Sequence, residues 1–176
     1  MKRRDFVKIG MLSTPSIMLG QISRVQADSR VVPADTDRSN ETHTLGFSKM
    51  LFKVSSADTN GELFILEHEN LVRGGPYRHV HPAQDEWLYA MAGEFRVEIG
   101  DQKLTLKAGD SVLMPRKVPH VWAQTLDTPG KLLIAFTPSG KMEEFFRDFG
   151  KTGKMPTEAS VVKAYGLERI GPPLSL

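Results

Sequence analysis

The sequence predicts an all-β domain, an antiparallel sandwich or barrel carrying one or two short helices near its C-terminal end. Three observations lead there. Short apolar or alternating runs recur between Phe52 and Phe136, separated by Gly, Pro, Asn and Asp turn signals. The apolar period changes to a helical one only after Pro138. The chain has 176 residues and no cysteine, so a single barrel core must carry the fold without disulfides. That absence also excludes a thiol nucleophile and every thiolate metal site.

The first 27 residues read as a leader. Met1 to Lys8 is charged, Ile9 to Ile22 is mildly apolar and broken by Pro15, and Val25-Gln26-Ala27 offers a small-residue cleavage site after Ala27. The apolar stretch is shorter than the ~20 residues a spanning helix needs. Arg3-Arg4-Asp5-Phe6-Val7-Lys8 resembles the twin-arginine export motif. That resemblance implies passage through the twin-arginine machinery to the bacterial periplasm or beyond, with no stable membrane anchor after cleavage. Segment 28–43 is polar and reads as a linker, and 44–176 as one domain.

The leader also explains the charge. The whole chain carries 23 basic and 21 acidic residues, a net of +2. Lys2, Arg3, Arg4, Lys8 and Arg24 against Asp5 supply +4 of this, so the remainder is slightly acidic. With no basic stripe and no interleaved aromatics, nucleic-acid binding is disfavoured. No G-x-S-x-G motif supports a serine triad. Gly74-Gly75 runs into Pro76, which has no N–H to offer a phosphate.

The strand candidates are Phe52 to Val54, Glu62 to Glu67, Glu86 to Ala92, Glu94 to Ile99, Lys103 to Lys107, Ser111 to Met114, Val121 to Thr125 and Lys131 to Phe136. Asn60-Gly61, Ala92-Gly93, Gly100-Asp101, Ala108-Gly109-Asp110 and Thr128-Pro129-Gly130 are the turns between them. Met142, Phe145, Phe146 and Phe149 then fall on one helical face, with Gly150 as the expected C-cap. This face either packs on the sheets or lids a pocket. Thr157 to Tyr165 reads as a second short helix stopped by Gly166.

The segment richest in chemistry is His79-Val80-His81-Pro82-Ala83-Gln84-Asp85-Glu86. Residues two apart on a strand share a face, so His79 and His81 can grip one ion. Glu86 opens the next strand, with Leu88 and Ala90 on its face and Trp87, Tyr89 and Met91 on the other. His120 begins a later strand. Three imidazoles and one carboxylate form an all N/O donor set suited to one divalent transition metal: Fe, Mn, Ni, Cu or Zn. His68, in Leu66-Glu67-His68-Glu69-Asn70, is expected in a solvated strand end, and His43 has no assigned role.

The spacing His79-x-His81-x4-Glu86-x6-Gly93 resembles the first motif of the cupins, and Gly109-x5-Pro115-x4-His120-x3-Gln124 the second. Arg73 stands where the first motif has a glycine, Lys117 replaces a glycine of the second, and Gln124 replaces its final Asn. The resemblance implies a double-stranded β-helix, or jelly-roll, barrel with His79, His81, Glu86 and His120 as the metal ligands. Glu86-Trp87-Leu88-Tyr89, Pro115 to His120, the Thr137 to Phe149 helix and the Tyr165 to Pro173 tail are similar to single-domain cupins described as quercetin 2,3-dioxygenase-like.

This implies a metal-dependent dioxygenase of small hydroxylated aromatics, with Glu86 also acting as proton acceptor. Tyr77, Phe64, Phe95, Met114, Trp122 and Phe136 are the expected pocket residues. Such barrels often pair as homodimers. A non-redox lyase, isomerase or decarboxylase would use the same site without oxygen, and a periplasmic metal or small-molecule binder would hold a ligand without turnover.

Overall fold

A computed structural model describes residues 29–46 and 48–176. The expected leader, with its expected cleavage site after Ala27, lies outside the described residues. Eleven strands form two antiparallel sheets. In chain order they are β1 (His43–Leu45), β2 (Ser48–Val54), β3 (Phe64–Asn70), β4 (His79–Val80), β5 (Asp85–Ala92) and β6 (Glu94–Ile99). The rest are β7 (Gln102–Lys107), β8 (Ser111–Met114), β9 (His120–Gln124), β10 (Gly130–Thr137) and β11 (Glu168–Arg169). One sheet runs β1-β2-β3-β10-β5-β8, the other β11-β4-β9-β6-β7. Their inner faces enclose the core, in the jelly-roll arrangement that the cupin resemblance implies. Among the described residues, no helix is long and apolar enough to cross a membrane.

Alternation decides which side chains face inward. In β5, Glu86, Leu88 and Ala90 are buried while Tyr89 and Met91 are exposed, as their parity predicts. In β3, Phe64, Leu66, His68 and Asn70 share the inner face. The strand extends beyond Glu67 because β10 pairs with it as far as Asn70. His68 is therefore 7% exposed, not solvated as expected.

The helix after Pro138 is α1 (Met142–Thr152). Gly150 lies inside it, buried, where a Cβ would meet the His43 Cβ at 3.0 Å. The cap is instead Gly153, at φ +66°, whose N–H donates to the Phe149 carbonyl. Met142 and Phe145 are buried against the core, so the helix both packs on the sheet and closes one end of the barrel. A second helix, α2 (Ala159–Ala164), leads into β11.

The polar segment before β1 is fastened down. The buried Asp37 carboxylate accepts the backbone N–H groups of Phe52 (2.6 Å) and Ser39 (2.7 Å). His43 stacks on Phe52, ring centroids 4.1 Å apart, and belongs to the barrel edge.

Candidate metal centre

Four side chains meet between the two sheets. His79 and His120 are paired across β4 and β9, which puts them on the same face of one sheet. His81, two residues beyond His79, follows on that face. Glu86 comes from β5 in the opposite sheet. One candidate ligand atom from each residue lies within 4.8 Å of all the others, and all four residues are buried. The Glu86 Oε2 lies 3.1 Å from His120 Nε2, 3.2 Å from His81 Nε2 and 3.5 Å from His79 Nε2. Donor atoms sharing an ion at about 2.1 Å would be separated by roughly 3.0–3.4 Å.

Hydrogen bonding orients two of the rings. His79 Nδ1 lies 2.7 Å from the Tyr77 carbonyl, and His120 Nδ1 2.9 Å from the Val118 carbonyl. A carbonyl only accepts, so each Nδ1 carries the proton and a neutral ring turns the Nε2 lone pair toward Glu86. Acceptors aimed at one point repel unless a cation lies among them or a ring is protonated. This is the chemistry of a metal-ligand set with its second nitrogens tied to backbone carbonyls. The donor set fits a divalent metal.

Electrostatics agree. Burial pushes the Glu86 carboxyl up, but its close contacts with the His120, His79 and His81 rings outweigh it and hold the group well below the usual carboxylate range. Burial lowers His79, and the Glu86 contacts only partly offset it. Burial also disfavours charge on His120, yet its hydrogen bond and Coulomb attraction to Glu86 raise it overall. The cluster thus centres on an ionised carboxylate.

The supporting turns are specified locally. Asp85 precedes Glu86 and is clasped by Arg116 through its backbone N–H (2.8 Å), Nε (3.1 Å) and Nη2 (2.7 Å). These bonds lower the Asp85 carboxyl to about 2. Lys117, where the cupin motif has glycine, takes the left-handed conformation itself at φ +66° and donates its N–H to the His81 carbonyl at 2.8 Å. The turn survives the substitution at a strain of order 1 kcal/mol. Gln124, in place of Asn, is buried and donates to the Leu126 and Thr128 carbonyls. A Cβ at Gly75 would run into the Trp122 carbonyl, which explains a glycine there rather than at Arg73.

A cavity of about 280 Å³ opens beside the cluster. His79, His81 and Glu86 line it, and so do Tyr77, Trp122 and Phe136 from the expected pocket set. Phe64, Phe95 and Met114 do not: each is fully buried in the core, packed behind the wall. The sequence reading missed His68 and Arg169, which also line the cavity; so do the helix residues Met142, Phe145 and Phe146, in line with the lid alternative for that face. The parity of Phe64, Leu66 and His68 was a usable signal for the first. The helical apolar stripe was a signal for the last three. No pattern in the sequence pointed to Arg169.

Comparison with known proteins agrees with this geometry. Residues 71–136 match the family model described as Cupin domain. Protein SchB of Streptomyces halstedii is 26% identical over 115 residues, covering 64% of this chain and 80% of SchB. A 3-hydroxyanthranilate 3,4-dioxygenase of Bacillus thuringiensis is 32% identical over 84 residues, 43% of this chain. The match spans only 46% of the length of that dioxygenase. Among solved structures, a sugar phosphate isomerase of the cupin superfamily from Silicibacter pomeroyi shares the fold at a TM-score of 0.50. It is 16% identical, over 58% of this chain and 74% of that one. With both motifs in place on a jelly-roll barrel, residues 71–136 form a cupin domain.

Proposed function

We propose that this cupin is a metal-dependent dioxygenase acting on a small hydroxylated aromatic compound. The observation that carries the reading is the placement of the three imidazoles and Glu86 at the wall of a largely apolar cavity of about 280 Å³. A site of that size takes a small aromatic ligand. Cation-activated chemistry needs both open space beside the ligands and a dry wall, and both are present.

His79, His81, His120 and Glu86 would hold the metal, which when bound would supply Lewis acidity and open positions for substrate and oxygen. The chain's own groups do the rest. The Glu86 carboxylate is held ionised and would accept the proton of a substrate hydroxyl, leaving an electron-rich phenolate. Trp122 and Phe136 offer flat faces for the ring, and α1 shields that side from water. The Nδ1 bonds of His79 and His120 fix those two rings during this exchange. The dioxygenase relative supports an oxygen-dependent reaction on a hydroxylated aromatic.

The test is elemental analysis of the native protein joined to oxygen uptake with catechols and flavonols after loading with Fe, Mn, Ni, Cu or Zn. Uptake with at least one metal is expected. No uptake with any of them overturns the reading for these substrates, and turnover that persists without oxygen assigns the site to non-redox chemistry.

A further inference from the structure

We propose that Arg169 is a specificity-determining residue that binds a carboxylate, and that the substrate of this site is an aromatic monoacid. The inference rests on the proposed reading of the site and adds the substrate's charge to it. Its first support is register. Arg169 is the cross-strand partner of His79 in β11–β4, and His79 is the partner of His120 in β4–β9. Directly opposed residues on antiparallel strands share a face, with Cβ atoms about 5 Å apart. Arg169 therefore continues the row of ligands by one strand, and it lines the same cavity.

The second support is its surroundings. The guanidinium carbon sits 3.2 Å from the centroid of the Tyr77 ring, which also lines the cavity. Stacking on an aromatic face leaves the in-plane N–H groups of an arginine available. Its one hydrogen bond is a long one, 3.4 Å from Nη1 to the Thr157 carbonyl. Among the described residues Arg169 has no carboxylate partner. Arg38, Arg78, Arg116 and Arg147 are all paired, with Asp58, Glu98, Asp85, and Glu41 and Glu143. A half-buried guanidinium that cannot lose its charge is best satisfied by an anion, and its fork matches a carboxylate with two parallel bonds.

The third support is rigidity. The Arg78 carbonyl accepts the N–H groups of Ile170 (2.9 Å) and Gly171 (3.2 Å), fixing the backbone on the far side of Arg169. A carboxylate is favoured over a phosphate because no lysine and no second arginine line the cavity. One guanidinium balances one negative charge.

The test measures binding rather than turnover. Metal-loaded protein is titrated with 3,4-dihydroxybenzoate, 3,4-dihydroxyphenylacetate, their carboxamides and catechol, followed by calorimetry and by tryptophan fluorescence, since Trp122 lines the cavity. At least one acid should bind about tenfold or more tighter than its amide, the scale of a charge-assisted bidentate pair. In Arg169→Gln the ratio should fall below about threefold with the metal content retained, and Arg169→Lys should recover part of it. Acids and amides binding equally to the unmodified protein, a comparison that needs no variant, overturns the proposal. A preference that survives intact in Arg169→Gln overturns it too. Catechol binding without acid preference refutes the role of Arg169 and leaves the proposed function standing; failure of catechol and both acids to bind refutes both.

Discussion

All five histidines of the chain are buried, yet they divide into two groups. His79, His81 and His120 turn their Nε2 atoms to one carboxylate oxygen at 3.1–3.5 Å. His43 and His68 do not converge on anything. His43 lies flat on Phe52, 7° from parallel, with no hydrogen bond to either ring nitrogen and the Glu41 carboxylate 3.4 Å away. His68 meets Trp122 edge-on at 5.2 Å and leaves Nδ1 without a partner. Burial is common to both groups and distinguishes nothing. Register does: cross-strand pairing and the two-residue step place three rings around a point, while His43 packs on Phe52 and His68 meets Trp122 at the cavity wall.

The comparison can be broken most severely at the cluster. His120→Ala should weaken metal binding by more than about 100-fold, because it removes a ligand and leaves Glu86 facing two rings. His43→Phe should leave metal content unchanged, as read by elemental analysis of both purified variants. Full metal retention in His120→Ala would show that the convergence is not a binding site.

The next effect is acid sensitivity. Burial holds the His68 ring at about 4, against the opposing pull of Glu86 and Asn70. Its folded value lies below the ordinary 6.5, so the unfolded chain binds the proton first. The contribution is present in full above about pH 6.5 and is lost as pH falls through 4. Over that window it amounts to about 3 kcal/mol. Urea unfolding of metal-stripped protein at several pH values should show the slope, and His68→Phe should flatten it. Parallel profiles would contradict the assignment.

Smaller effects sharpen the core side of the contrast. His43→Ala should destabilise by about 2–3 kcal/mol through lost packing on Phe52, whereas His43→Phe should stay within about 1 kcal/mol. Chemical denaturation checks both, and an equal loss in the two would make the ring's polarity, not its volume, the important property. Smallest of all, Lys117→Gly should raise the melting temperature slightly, by less than about 1 kcal/mol of stability, by releasing the left-handed strain. A lower melting temperature would mean that the lysine side chain matters more than the backbone.

Most of the barrel was legible because alternation and turn residues are local signals. Glu94 to Ile99 and Ser111 to Met114 are strands as read, and the parity of Glu86, Leu88 and Ala90 gave the inner face of β5. The four clustered residues were legible because their spacing is local too, apart from His120. What escaped depends on distant pairing. His68 was placed in solvent because its strand was ended at Glu67, and pairing with β2 and β10 on its two sides carries it on to Asn70. Gly150 resembled a cap, but the helix continues to Thr152 because Gly150 fits against His43. Phe64, Phe95 and Met114 had the parity of the interior, and parity does not separate the cavity wall from the core behind it.

The two-residue strand β4 has one rung to β9 on one side and two to β11 on the other. His79 is thus seated between a strand made midway through synthesis and one made after α2. A nascent chain that has released β9 but not β11 has three of the four clustered side chains on established strands and turns, and the fourth on a segment with a single partner. The cluster therefore has its full lateral support only where Glu168 and Arg169 are paired with β4. Ion selection by a fully braced site belongs to the finished polypeptide, in whichever compartment the barrel closes.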